Sequence, residues 1–450
     1  MITVDNDRFL LAAGKTSYAF RVLDTGHLEH LHYGGPVRMD DLESLAEKRA
    51  FQAGNMISYD AEHPELTLED IKLEMSSLGK GDIREPFVEI IYPDGSYTSD
   101  FLYESYELPE TAPAWEGLPV SYCDGTDGNK AEYLIIHLRE KTRDVHLELH
   151  YTVYPDSEVI TRKAKLINGK EGPLRLLRLM SSQIDFPDAG YTVTHFCGSW
   201  ARVMKRKVTI VASGMFTVSS YTGTSSNRSN PFVMLSRPGT TENHGACWGF
   251  NLLYSGNHYE AAEVNAYGKT RFIQGINPRS FEFSLKPGDV FHSPEAVMTY
   301  SAAGFTGMSH NMHHFVRNHV IRGYWKDKVR PLLINSWEAC YFDISESRLL
   351  GLAKAAREAG IELFVMDDGW FGKRDNDQSS LGDWTVNSKK LPGGLARLSS
   401  KVHDIGLMFG IWVEPEMVNT DSDLYRAHPE WVLQITGRTT LKAGTSGSWT

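Results

Sequence analysis

Two adjacent aspartates, Asp367 and Asp368, follow a short apolar segment in the sequence FVMDDGWFG. Asp-Gly pairs are common in turns, so an Asx turn or a helix N-cap is one interpretation. A second interpretation comes from Trp370, which follows the pair, and from Trp337 and Trp412, which follow two other apolar segments. Indole faces pack against the C–H surface of a sugar, and carboxylates accept hydrogen bonds from its hydroxyls. The pattern therefore indicates a pocket for a polyol.

Four other acids near these segments are weaker candidates. Glu414 and Glu416 flank Pro415 after the third apolar segment, and two carboxylates beside a sugar could act as acid and nucleophile. Residues two apart in a strand share one face, so an ion-pair or loop-binding role is equally possible, and we favour a structural role. For Asp383 and Glu338 we expect solvated positions in loops.

Three histidines could suggest a metal site. His310 and His314 have the i,i+4 spacing of a helix, with His313 between them. No acidic ligand lies near them on that helix and no HExxH pattern is present, so we interpret all three as surface histidines. We expect neither a metal nor an organic cofactor.

Residues 1–305 show the pattern of an antiparallel β-sandwich. In VHLELHYTVYPDSEVITRKAKLIN, apolar residues from Val145 to Val153 alternate with mostly polar ones, and a Pro-Asp-Ser turn follows. Similar short segments recur, separated by Gly, Pro, Asn and Ser. Many short strands with such turns are typical of a large sandwich.

The pattern changes after residue 305. A helix is predicted across 306–330 as a linker. Residues 331–450 then alternate strand, helix, strand, helix, strand, with glycines at 360 and 406 ending the helices. This order predicts parallel strands, as in the start of a (β/α)8 barrel or a doubly wound sheet. Ligands of such folds bind beyond the carboxyl ends of the strands, where the aspartates and tryptophans stand.

Composition excludes several kinds of partner. The net charge of −11 argues against nucleic acid and anionic membranes, because both are polyanions. Four cysteines without a CxxC pair indicate reduced thiols. No segment reaches the roughly 18 apolar residues of a membrane helix, and the N-terminal residues lack the basic start of a signal peptide. We expect a cytoplasmic protein.

The motifs NSWEACYFD, MDDGWFG, LGDWTVNSKKLPGGL, WVEPEM and LYRAHPEWVL, with GSWARV and SSNRSNPF earlier, resemble bacterial α-galactosidases of glycoside hydrolase family 36. The likeness runs from about residue 20 to 438. It implies an N-terminal β-supersandwich, a (β/α)8 catalytic barrel and a C-terminal β domain. It also implies that Asp367 and Asp368 bind the galactosyl 4- and 6-hydroxyls, that Trp337 and Trp412 line the pocket, and that Trp200 reaches it. We add Trp370 to the predicted sugar-binding residues only because it follows the two aspartates in the sequence.

The sequence departs from the family after residue 438. The family's nucleophile stands on the fourth barrel strand in a motif like KWD, with the acid/base further on, and no KWD occurs here. We therefore expect an incomplete barrel of three βα units, with the catalytic pair beyond residue 450. A barrel with an open edge is expected to fold poorly and to be inactive by itself. The tail 439–450 resembles nothing in the family.

The resemblance implies a retaining enzyme that removes terminal α-galactosyl residues from oligosaccharides such as raffinose and melibiose, as a tetramer. Three alternatives remain: an α-N-acetylgalactosaminidase, a galactosyltransferase of the same superfamily, and a non-catalytic galactoside-binding protein.

Overall fold

The computed structural model describes residues 1–48, 54, 56–125, 130–435 and 437–438, and the backbone of 442–443 and 446–448. Residues 439–450, which the sequence analysis found to be unlike the family, lie largely outside the described residues. The chain forms two compact units, Met1–Arg322 and Gly323–Thr450. The domain limits at 305 and 330 stay predictions.

The first unit is built almost entirely from antiparallel strands. They are, in chain order, β1 (Ile2–Asp5), β2 (Arg8–Ala13), β3 (Thr16–Val22), β4 (Leu28–Gly34), β5 (Val88–Ile91), β6 (Phe101–Glu107), β7 (Glu132–Glu140), β8 (Val145–Tyr154), β9 (Val159–Asn168), β10 (Leu174–Phe186), β11 (Thr192–Ser199), β12 (Arg202–Ile210), β13 (Gly214–Ser219), β14 (Ser229–Ser236), β15 (Cys247–Leu253), β16 (His258–Val264), β17 (Thr270–Ile276), β18 (Phe283–Leu285), β19 (Val290–His292) and β20 (Glu295–Ser301).

These strands form three sheets. One has four strands in the order β1-β2-β3-β4. A six-stranded sheet runs β13-β16-β17-β10-β18, with β5 also paired to β10. A ten-stranded sheet runs β12-β11-β14-β15-β20-β9-β8-β7-β6, with β19 beside β9. The predicted antiparallel β-rich domain is confirmed.

The apolar residues that alternate along β8 in the sequence are the residues that the strand contributes to the hydrophobic core. Val145, Leu147, Leu149, Tyr151 and Val153 of β8 are all buried in one cluster between the sheets. The hairpin to β9 turns through a 3-10 segment, Pro155–Ser157. Burial of each such side chain stabilises the fold by about 1.5–3 kcal/mol, so this face fixes the strand register.

Two helices belong to the first unit, α1 (Leu42–Leu45) and α2 (Gly304–Phe315). A 3-10 turn, Met39–Asp41, precedes α1, and a π turn, Val316–Val320, extends α2. The linker helix predicted across 306–330 is α2, but it is shorter than predicted, because helical structure ends with the π turn at Val320. Its buried residues Met308, Met312 and Phe315 pack into a cluster with Val297 of β20 and Cys247 of β15.

The second unit holds three parallel strands, β21 (Leu333–Asn335), β22 (Leu363–Met366) and β23 (Met408–Ile411), paired in that order. Its helices are α3 (Trp337–Cys340), α4 (Glu346–Glu358), α5 (Gly394–Asp404) and α6 (Asp423–Ala427), with a 3-10 turn at Pro429–Trp431. The strands β24 (Lys442–Ala443) and β25 (Ser446–Ser448) follow. The parallel order and the alternation with helices confirm the partial barrel.

Local sequence explains where the helices of this unit begin and end. Ser345 caps α4 by accepting a hydrogen bond from the Arg348 amide. Gly360 and Gly406 follow α4 and α5 with φ of +84° and +89°, a conformation that favours glycine. Both predicted helix ends are confirmed.

Three smaller findings concern the described residues as a set. No helix of the described residues is long and apolar enough to cross a membrane. All four cysteines are in the reduced thiol form, as predicted. No group of three or more His, Cys, Asp or Glu side chains suited to a metal is found in the described part of the chain.

Candidate functional site

A cavity of about 430 Å³ opens at the carboxyl ends of the three parallel strands. It lies within the second unit and is lined by Trp337, Phe342, Asp367, Asp368, Arg374, Asp377, Trp412 and Glu414. The aspartates directly follow β22, Trp412 directly follows β23, and Trp337 lies two residues after β21. Parallel strands therefore bring together residues that are far apart in the sequence.

The turn after β22 fixes the backbone of both aspartates. The Asp367 amide donates to Oγ of Ser336 at 3.0 Å, and the Asp368 amide donates to Oδ1 of Asp367 at 2.8 Å. Gly369 has a φ of +102°, and a Cβ there would lie 3.0 Å from Cα of Phe342. Only glycine fits this position without movement of the backbone.

Asp368 is held by a buried arginine that sequence reasoning did not single out. Nη2 of Arg374 lies 2.8 Å from Oδ2 of Asp368, and Nε lies 3.0 Å from Oδ1. Nη1 of the same guanidinium donates to Oδ1 of Asn419 and to the Ser379 carbonyl, both at 3.0 Å. All these partners come from loops, so no periodic pattern in the sequence marks them. The result is one fixed carboxylate orientation.

Asp367 has a different environment. Its Oδ1 accepts the amide of Asp368, and no other hydrogen bond to this carboxylate is found among the described residues. The side chain is nevertheless mostly buried, with the cavity in front of it. A mostly buried carboxylate with spare acceptor capacity favours a ligand that donates hydrogen bonds.

The tryptophans divide into two groups. Trp337 and Trp412 are half-buried and line the cavity. Trp370 does not line it. Its side chain is only 2% exposed and packs against Phe371 with ring centres 5.3 Å apart. The Trp370 indole donates to the Trp412 carbonyl at 3.0 Å, so we remove Trp370 from the predicted contact residues and assign it to positioning Trp412.

The other acidic residues considered in the sequence analysis have three different environments. Burial and the charge of Glu416 raise the pKa of Glu414, which lines the cavity. Asp383 is not a solvated loop acid, as expected from the sequence, because its carboxylate accepts the amides of Asp423 and Leu424 at the start of α6. Glu338 is exposed, as predicted, but it lies in α3 rather than in a loop, and its carboxylate accepts the Tyr341 hydroxyl.

Trp200 lies in the first unit, at the turn between β11 and β12, and is 92% exposed. Its predicted contact with the sugar pocket stays a prediction. His310, His313 and His314 are exposed, which confirms surface histidines.

Comparisons with known proteins agree with this architecture. The model of the glycosyl hydrolase family 36 N-terminal domain matches residues 26–286, and the melibiase model matches residues 290–446. α-Galactosidase AgaA of Geobacillus stearothermophilus is 39% identical over 431 residues, which are 96% of this chain and 59% of AgaA. α-Galactosidase Mel36A of Lactobacillus acidophilus is 37% identical over 435 residues, with the same coverage of 96% and 59%.

A crystal structure of an AgaA variant in complex with stachyose superposes with a TM-score of 0.93 at 39% identity, covering 97% of this chain and 60% of that one. The chain thus spans about three fifths of the length of these relatives. The family 36 N-terminal model matches more than half of the chain, and a solved α-galactosidase superposes on almost all of it, so the chain belongs to glycoside hydrolase family 36.

Proposed function

We propose that this chain is the galactose-holding part of a retaining α-galactosidase. The observation that carries the proposal is the pair Asp367 and Asp368 beside one cavity, with Asp368 locked by Arg374. Sequence relatives named as α-galactosidases, and the stachyose complex of one of them, support the same activity.

The two carboxylates suit two neighbouring hydroxyls of one sugar ring. Asp368 presents a fixed acceptor, because the guanidinium determines its orientation, whereas Asp367 keeps acceptor capacity for the ligand. Galactose and glucose differ only in the axial or equatorial 4-hydroxyl. A rigid charged acceptor at that hydroxyl discriminates between them, since the wrong epimer cannot donate its 4-hydroxyl hydrogen bond to the fixed carboxylate.

Trp337 and Trp412 supply the apolar surface of the proposed site. Both indoles border the cavity that holds the aspartates. A galactose ring has one face rich in C–H groups, which an indole face contacts favourably. The aromatic contacts and the acceptor pair together fix the position and the orientation of the ring.

Hydrolysis with retention needs a nucleophile and an acid/base, two carboxyl groups about 5–5.5 Å apart. The family resemblance assigns both to aspartates beyond residue 450. We therefore propose that the 450-residue chain binds the galactosyl ring of raffinose-type oligosaccharides without releasing galactose.

We also propose that the full enzyme is a cytoplasmic homo-tetramer. Support for self-association comes from β12, the outer strand of the ten-stranded sheet. Val203, Met204, Val208 and Ile210 of this strand are all exposed, and Trp200 is exposed beside it. Exposed apolar edge strands are favourable surfaces for association.

Isothermal titration calorimetry of the 450-residue chain tests the site. We expect galactose to bind at least about ten-fold more tightly than glucose, a difference of about 1.4 kcal/mol. Asp367→Asn should weaken galactose binding by a similar factor. Asp404→Asn, an exposed aspartate at the end of α5, is the matched control and should bind as the parent does.

Equal affinity for the two epimers, or unchanged binding by Asp367→Asn, would contradict the proposed clamp. Release of galactose from raffinose by the isolated chain would contradict the assignment of the catalytic pair beyond residue 450. Galactose binding without turnover by a full-length protein would instead favour a non-catalytic galactoside-binding protein.

A further inference from the structure

The first unit contains a second cavity, of about 480 Å³, formed by residues of that unit alone. It lies between the β2–β3 turn, the end of β4, the turn after β8 and the beginning of α2. Cavities of this size are typical of small-molecule sites, which combine a few polar groups with apolar walls.

Two opposite charges line this cavity without forming an ion pair. Lys15 and Glu158 both border it, and neither has an ion-pair partner among the described residues. Glu158 has a φ of +53°, in the left-handed region that non-glycine residues rarely adopt. Such backbone strain concentrates at functional sites. The cavity wall thus carries a carboxylate and an ammonium group that do not pair with each other, and each can bind a third group.

Neutral polar groups beside Glu158 also line the cavity. Nδ2 of Asn311 donates to Oγ1 of Thr299 at 3.0 Å and to the Tyr300 carbonyl at 3.3 Å, and it lies 3.5 Å from Oε2 of Glu158. This leaves Oδ1 of Asn311 as an acceptor, for which no donor is found in the described part of the chain. The Tyr300 hydroxyl likewise has no hydrogen-bond partner there, and the Tyr300 ring borders the cavity.

We propose that this cavity, lined by Lys15, Glu158, Tyr300 and Asn311, is a second binding site for a neutral ligand of one or two sugar rings. A polyol matches the set of groups, because each hydroxyl both donates and accepts, and the wall offers the acceptors of Glu158 and Asn311 with the donors of Lys15 and Tyr300. The opposite charges cancel, so neither an anion nor a cation gains a net attraction. The Tyr300 ring supplies the aromatic surface that sugars favour.

This site shares no residue with the site at Asp367. The two are therefore tested independently, by weakening the first site with Asp367→Asn and by using probes that carry no galactosyl group. Saturation-transfer difference NMR on the 450-residue chain, with methyl α-D-glucoside and sucrose as probes, measures weak sugar binding directly.

Three substitutions address the second site without threatening the fold. Glu158→Gly removes the carboxylate and places glycine where φ is positive, so stability is expected to be equal or higher. Lys15→Ala removes the exposed ammonium group. Gly35→Leu fills the cavity, since a Cβ at Gly35 meets nothing nearer than the Tyr300 ring at 4.0 Å. Lys170→Ala, another exposed lysine of the same unit, is the matched control.

In the Asp367→Asn background we expect one of the two sugars to bind. We expect at least ten-fold weaker binding with Lys15→Ala or Glu158→Gly, no binding with Gly35→Leu, and unchanged binding with Lys170→Ala. Absence of sugar binding in that background, or binding that survives Gly35→Leu, overturns the proposal. Displacement of the probes by glycine overturns the ligand class, because it would identify an amino-acid site.

Discussion

Arg374 and Asp368 form a buried ion pair at the base of the candidate sugar site, with 2.8 Å between Nη2 and Oδ2. Both side chains are almost fully buried, and the guanidinium also binds Asn419 from the loop that follows β23. One arginine thus joins the turn after β22 to the loop after β23. The orientation of Asp368 and the stability of the loops depend on the same contact.

Removing one partner of this pair should therefore affect both binding and stability. For Arg374→Gln we expect a loss of about 3–5 kcal/mol in the unfolding free energy of the second unit, because an uncompensated carboxylate stays buried. Galactose affinity should fall at least ten-fold. Urea unfolding and calorimetric titration measure the two effects.

The control for this prediction is an exposed arginine of the same unit. Arg426 pairs with Asp421 and Asp423 at the surface. Arg426→Gln should change the unfolding free energy far less than Arg374→Gln and leave galactose binding unchanged, because exposed ion pairs are screened by solvent. Equal losses in the two variants would show that the buried pair has no special role.

Gly369 provides a second prediction, because its backbone and its surroundings both exclude a side chain. In Gly369→Ala a Cβ would approach the Phe342 backbone to 3.0 Å at a φ of +102°. We expect a stability loss of about 1–3 kcal/mol and weaker galactose binding, since the turn that aims Asp368 must shift.

Gly360→Ala separates the effect of the positive φ from the effect of the close contact with Phe342. Gly360 also has a positive φ, of +84°, but no atom lies within 4 Å of a Cβ built there. This variant should show only the conformational cost of about 1–2 kcal/mol and normal binding. If both variants bind galactose normally, the turn at Gly369 does not control the site.

Trp370 is predicted to act through Trp412. Trp370→Phe keeps most of the core packing but removes the hydrogen bond from the indole to the Trp412 carbonyl. The expected stability loss is about 1 kcal/mol, with a several-fold loss of galactose affinity because the Trp412 indole is less well positioned. Trp431→Phe, at a tryptophan that is 63% exposed, is the control. A direct sugar contact by Trp370 would instead lower affinity with no change in stability.

The sequence predicted those features that depend on local pattern. Alternation marked the hairpin of β8 and β9, and short apolar segments with glycines marked the parallel strands β21, β22 and β23. The aspartates and two of the three nearby tryptophans could be placed at one cavity because parallel strands end at the same edge of a sheet.

Contacts between loops could not be predicted in this way. Arg374 stands in an irregular loop, and its partner Asn419 is 45 residues further along the chain. Asp383 binds amides at the start of α6, 40 and 41 residues away. Trp370 shows the same limit, because composition indicated an aromatic near the site but not the direction of its side chain.

The pH dependence of stability gives a last prediction, at Glu414. Burial and the Glu416 charge raise the pKa of Glu414 in the folded state, so its ionised form destabilises the fold. This penalty is absent below the ordinary glutamate pKa of about 4.3, appears as pH rises through the raised value, and is complete above it. Glu414→Gln should therefore raise the melting temperature at pH 7, and this gain should shrink toward zero near pH 4. Thermal unfolding of both proteins across this range measures the difference, and a gain independent of pH would show that Glu414 acts through packing rather than charge.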